Sequence, residues 1–150
     1  RDAVHQFLMI SFGPDWLKCQ LKIYVEMKKP KLKKFTIDDN VFRAKVVVYR
    51  NCSNDYFNRL VQRKYDAEFP DIAGAEGNFV SFETDEGTMY VLWLESFKFT
   101  AQKLGVLNHE LLHCAYTILT DRGLEINDET EEVLTYYHSF LFTEAYKKLK

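Results

Sequence analysis

Apolar and polar positions divide this chain into stretches of two different periods. Leu17, Cys19, Leu21, Ile23, Val25 and Met27 alternate with Trp16, Lys18, Gln20, Lys22, Tyr24 and Glu26, a period of two that predicts a half-exposed strand. Lys45-Val46-Val47-Val48-Tyr49 predicts a buried strand, and Phe79 to Glu83 a further one. Thr88 to Leu94, apolar on both faces and bounded by Glu86-Gly87 and Glu95-Ser96, predicts a well-covered strand. Ser53 or Asn54 caps a helix over about 55 to 66, with Tyr56, Phe57, Leu60, Val61 and Tyr65 on its apolar side. Pro70 to Gly77 reads as a loop. Ahead of these, residues 2 to 12 predict a short helix, with a turn at Gly13-Pro14-Asp15. Lys28-Lys29-Pro30-Lys31-Leu32-Lys33-Lys34 reads as a basic, solvated break.

The period changes after Thr100. Leu104, Leu107, Leu111, Cys114 or Ala115, and Ile118 recur at three- and four-residue steps, which predicts an amphipathic helix with Thr100 as N-cap and Gly123 as C-cap. A second helix opens in Asn127-Asp128-Glu129-Thr130-Glu131-Glu132 and runs through Val133, Leu134, Tyr137, Phe140, Leu141 and Ala145. Asp128 with Glu131 three residues later reads as a capping-box variant. Strand, helix, strand, strand, helix, helix is an α+β order, helices packed on a small mixed sheet. Residues 1–34 read as a strand-containing N-terminal addition and 35–150 as the core.

Composition narrows the class without naming a function. A chain of 150 residues, 47% hydrophobic and 15% aromatic, is long enough to bury a core unaided. A formal charge of −2 gives no bias toward nucleic acid or membrane, and the lysine run lacks the interleaved aromatics of a nucleic-acid surface. Three widely spaced Cys without a Cys-x-x-Cys pair point to free thiols in a reducing, cytoplasmic compartment. The apolar run Phe7 to Gly13 is too short to span a bilayer and lacks the basic region and cleavage site of a signal peptide.

One run carries chemistry: His109-Glu110-Leu111-Leu112-His113, inside the first of the two helices. Imidazoles four residues apart on a helix lie one turn above each other, so both can reach one zinc ion while the Glu between them acts on a metal-bound water. His109 and His113 share a stripe with Tyr116 or Thr117, beside the apolar one. Zinc sites of this kind take a third protein ligand. With Glu131 given to the capping box, Glu132 is the first carboxylate free to project inward; Glu131 is the reserve, and Glu129 and His138 are more distant choices. All three Glu also suit the positive end of a helix dipole without any metal.

With these flanks, Leu107-Asn108-His109-Glu110-Leu111-Leu112-His113-Cys114 followed by Gly123 and Glu131-Glu132, the chain resembles the zincin-like metallopeptidases of the His-Glu-x-x-His plus Glu type. It is closest to small phage- or prophage-encoded zinc peptidases, which place an acidic, Tyr-containing helix soon after the metal helix. The resemblance covers about residues 87 to 145, is thin over 40 to 86 and is absent from the first 35 or so. It implies a minimal zincin-like core and a zinc-dependent peptidase with His109, His113 and Glu132 as ligands and Glu110 as general base. It also implies a strand along the cleft that pairs with an extended peptide, a role for which Thr88 to Leu94 is the candidate. Tyr136, His138 or Tyr137 could stabilise the oxyanion. The alternative is a non-catalytic, phage-type module on the same scaffold that binds a protein partner.

Overall fold

The computed structural model describes residues 32–67 and 74–150. The elements run β1 (Lys33–Asp39), β2 (Ala44–Arg50), α1 (Asn54–Tyr65), β3 (Gly77–Thr84), β4 (Gly87–Leu94), α2 (Ala101–Asp121) and α3 (Glu131–Leu149). The class is α+β: a four-stranded mixed sheet with strand order β1-β2-β4-β3, packed with three helices. β1 pairs antiparallel with β2, and β3 antiparallel with β4. The two hairpins are joined by a parallel pairing of β2 with β4, in register from Val46 opposite Tyr90 to Arg50 opposite Leu94.

The apolar runs that mark β2 and β4 have a common cause. Both strands are inner strands with side chains buried on either face, which removes the polar half of the usual alternation. Val46, Val48, Tyr90, Leu92 and Leu94 face one core, shared with α2 and α3. Val47, Tyr49, Val91 and Trp93 face the other, closed by Phe57 and Val61 of α1. Trp93 settles its indole by donating from Nε1 to the Cys52 carbonyl at 3.0 Å. Ser53 caps α1 as the sequence suggests, its hydroxyl accepting the Tyr56 N–H.

Two expectations change. The chain forms a strand over Lys33–Asp39, whose first two residues close the run that the sequence reads as a basic break and whose remainder carries no predicted element. Its pattern is faint because β1 is an edge strand among the described residues: Ile37 and Asp39 are buried, while Lys33 and Lys34 are exposed and suit an edge position. The start of α3 also differs. Thr130, not Asp128, is its N-cap, and it makes no side-chain cap bond. The preceding turn is held internally instead, with the Asn127 N–H donating to Thr130 Oγ1 and the Glu129 N–H to Asn127 Oδ1, both at 3.0 Å. The predicted helix over 2 to 12 and strand over 16 to 27 lie outside the described residues. Cys52 and Cys114 are buried free thiols. Among the described residues, no helix is long and apolar enough to cross a membrane.

Candidate metal centre

The helix that carries the motif is fixed at both ends and along one side. Thr100 Oγ1 accepts the Lys103 N–H at 3.3 Å, capping the first turn of α2. At the far end Gly123 takes φ +81, a left-handed value suited to glycine, and the Leu124 N–H returns to the Leu119 carbonyl at 3.0 Å. Leu107, Leu111, Cys114, Ala115 and Ile118 are fully buried and seat the helix on the sheet.

Within this frame the three polar residues of the motif part company. His109 and His113 are exposed, with their rings 4.6 Å apart at an 83° angle and their Nε2 atoms 3.1 Å apart. Both nitrogens therefore approach one point above the helix surface. Glu110, between them in sequence, is only 8 % exposed. Its carboxylate accepts the backbone N–H of Phe79 in β3. Burial raises the Glu110 pKa above the usual carboxylate value, opposed by the fields of His109 and His113 and by the Phe79 N–H.

The contact with Phe79 places the motif beside the terminal strand of the described sheet. Among the described residues, β3 has one strand neighbour, β4. The Glu95 N–H bonds the Glu76 carbonyl at 3.0 Å, which fixes the parity of the strand. Gly77, Phe79, Ser81 and Glu83 therefore turn their main-chain groups away from β4. Helix and edge are pressed together at Gly77, where an added Cβ would meet Val106 Cγ1 at 2.8 Å and Leu94 Cδ2 at 3.1 Å. The first turn of α2 is tied to the same place, Lys103 Nζ reaching Glu76 Oε1 at 2.9 Å. That ion pair holds the Glu76 carboxyl below its ordinary pKa.

The strand expected to line a cleft, Thr88 to Leu94, is thus an inner core strand, and the edge beside the motif is β3. The sequence did not reveal this, because the adjacency of β3 and α2 is a long-range fact. Gly77, at the end of the anticipated loop, was the available signal.

The remaining candidates lie on α3 and the turn before it. Glu129, Glu131 and Glu132 are all exposed. Glu131 stands three and seven residues before Leu134 and His138, so it heads the stripe on which His138 reaches α2. Glu132 heads the stripe of Thr135, Tyr136 and Ser139, all exposed. The capping argument that favoured Glu132 over Glu131 lapses with the Thr130 cap. His138 donates from Nε2 to the Asn108 carbonyl at 3.1 Å, which takes that nitrogen out of use as a ligand. Tyr137 donates its hydroxyl to Asp39 Oδ2 at 3.0 Å inside the core, and Tyr136 lies exposed. Among the described residues no group of three His, Cys, Asp or Glu is arranged to hold a metal, so the structure brings together the His pair and not a third ligand.

Two converging imidazole nitrogens next to a buried carboxylate fit zinc by donor type. The same face of α2 carries Tyr116, 50 % exposed and one turn beyond His113. No protein-family model, curated protein or solved structure matches the chain.

Proposed function

We propose that the chain is a zinc-dependent hydrolase of peptide bonds, with His109 and His113 holding the metal and Glu110 as general base. The observation that carries this reading is the division of labour within one helical turn and its neighbours. Two Nε2 atoms lie 3.1 Å apart above the surface, and between them in sequence a buried carboxylate is anchored to the sheet edge. The third ligand in this reading is Glu132, with Glu131 as the reserve. A zinc ion there would acidify water and polarise a carbonyl.

The chain's own groups supply the rest. Glu110 takes a proton from the attacking water and returns it to the leaving amine nitrogen. Burial raises its pKa above the usual carboxylate value, which makes it a stronger base. The outward carbonyl of Phe79 and both outward main-chain groups of Ser81 suit pairing with an extended peptide, which would lie along β3 beside the His pair. The Phe79 N–H, committed to Glu110, links peptide position to base position.

Exposed apolar side chains on α3 and the β1–β2 turn, among them Tyr136 at 73 % and Val41 at 80 %, favour a second reading as a protein-binding module. One experiment separates the two. Zinc content and cleavage of a peptide library are measured for wild type and Glu110→Gln. Zinc in both with cleavage in wild type alone supports the hydrolase. Wild type without zinc after metal loading overturns it.

A further inference from the structure

On the opposite side of α3 from the His138–Asn108 contact, the β1–β2 turn and α3 border an open-sided cavity of about 400 Å³. That volume lies in the range of small-molecule sites. Its walls are aromatic. The rings of Phe42 and Tyr137 meet edge to face at 4.8 Å, and Tyr137 and Phe140 stack at 6.1 Å with Tyr136 at the rim. Behind them lies Asp39, a carboxylate only 5 % exposed. It accepts the Val41 N–H at 2.8 Å, the Phe42 N–H at 2.9 Å and the Tyr137 hydroxyl at 3.0 Å.

These three donors are neutral. Among the described residues, the ion pairs are Lys103 with Glu76 and Lys147 with Glu144, and no Lys, Arg or His neutralises Asp39. A buried negative charge behind a wall of aromatic side chains is an environment for a cation. Ring faces attract positive charge through their quadrupoles, and the Asp39 field adds to them. A strongly hydrated ammonium would lose its water on entering so apolar a cavity, whereas an alkylated one offers methyl groups to the walls and keeps its charge.

We propose that this cavity binds a small alkylammonium cation of the trimethylammonium type. The site is independent of the His109–His113 centre and does not rest on its function.

The test uses the full chain and two probes of equal shape, choline and its uncharged isostere 3,3-dimethylbutan-1-ol, followed by calorimetry and by the ring resonances of Tyr136 and Tyr137. Choline is expected to bind more tightly than the isostere by about fivefold or more. Phe140→Leu, at the partly exposed rim, is expected to weaken choline binding. Asp39→Asn, which keeps one of the two accepting oxygens and is used once circular dichroism shows it folded, is expected to erase the preference for charge. Phosphatidylcholine vesicles serve as a third probe. Choline binding without co-sedimentation assigns a free cation, and co-sedimentation lost in Phe140→Leu assigns the same chemistry to a lipid headgroup. Equal affinity for the two small probes, no response to either, or choline binding unchanged in Phe140→Leu would overturn the proposal.

Discussion

Glu110 on α2 accepts the backbone N–H of Phe79 on β3, so the acid of the motif is tied to the last strand of the described sheet. A side chain held by main chain keeps its position when neighbouring side chains change.

Glu110→Gln keeps an oxygen for the Phe79 N–H and removes only the basic function. Zinc content and the melting temperature are expected to stay at wild-type values. Peptide hydrolysis should fall by about 10²- to 10⁴-fold, the usual contribution of a general base. Equal loss of metal and activity would show that Glu110 supports the fold and not the chemistry.

Elemental analysis of alanine variants tests the ligand set. Wild type is expected to carry one zinc per chain, and His109→Ala and His113→Ala to lose it. Glu132→Ala should lose it too, while Glu131→Ala keeps it. The reverse result for the two Glu variants would transfer the third position to Glu131, which heads the α3 stripe that meets α2.

Gly77→Ala should push β3 away from α2. The new methyl would sit 2.8 Å from Val106 Cγ1 and 3.2 Å from the Trp93 carbonyl oxygen, and backbone cannot yield as a side-chain tip can. The expected cost is about 1–3 kcal/mol in chemical denaturation. Activity should drop further than stability explains, because the Phe79 N–H moves with the strand.

Alkaline pH should unfold the protein in step with tyrosine ionisation. Burial pushes the Cys52 thiol up to about 11, and burial with hydrogen bonding pushes Tyr49 and Tyr90 up to about 12. Each group holds its proton in the folded chain at a pH where the unfolded chain has released it. Stability therefore falls as pH rises, beginning near the ordinary pKa values of 9 and 10 and continuing to about 12. Circular dichroism and tyrosinate absorbance recorded together should show coincident transitions. Tyrosinate forming well before the fold is lost would contradict the burial argument.

The α+β class, the inner strands and the motif helix were legible because each has a strong local period. Val46 to Tyr49 and Tyr90 to Leu94 read as buried runs, and Leu107 to Ile118 as a helix stripe with a cap at Thr100. β1 was not legible: a strand of seven residues with three lysine and aspartate side chains exposed does not show enough of its buried face. The start of α3 misled because Asn127 and Thr130 bond each other, a local arrangement that competes with a capping box and leaves no distinct trace in sequence. For the candidate site, the spacing of His109 and His113 implied convergence on one point. The turn of Glu110 toward β3 was beyond reach, since no local pattern states which strand lies beside a helix.

The sheet also implies an order of events as the chain folds. The hairpins β1–β2 and β3–β4 each close between neighbours in sequence, whereas the parallel seam of β2 with β4 joins distant segments. Non-local pairing of this kind is the slow step. Phe79, Glu110 and both motif histidines all lie on β3 and α2, in the later of the two halves. The candidate site is therefore encoded in one unbroken stretch of chain, able to assemble before the seam closes.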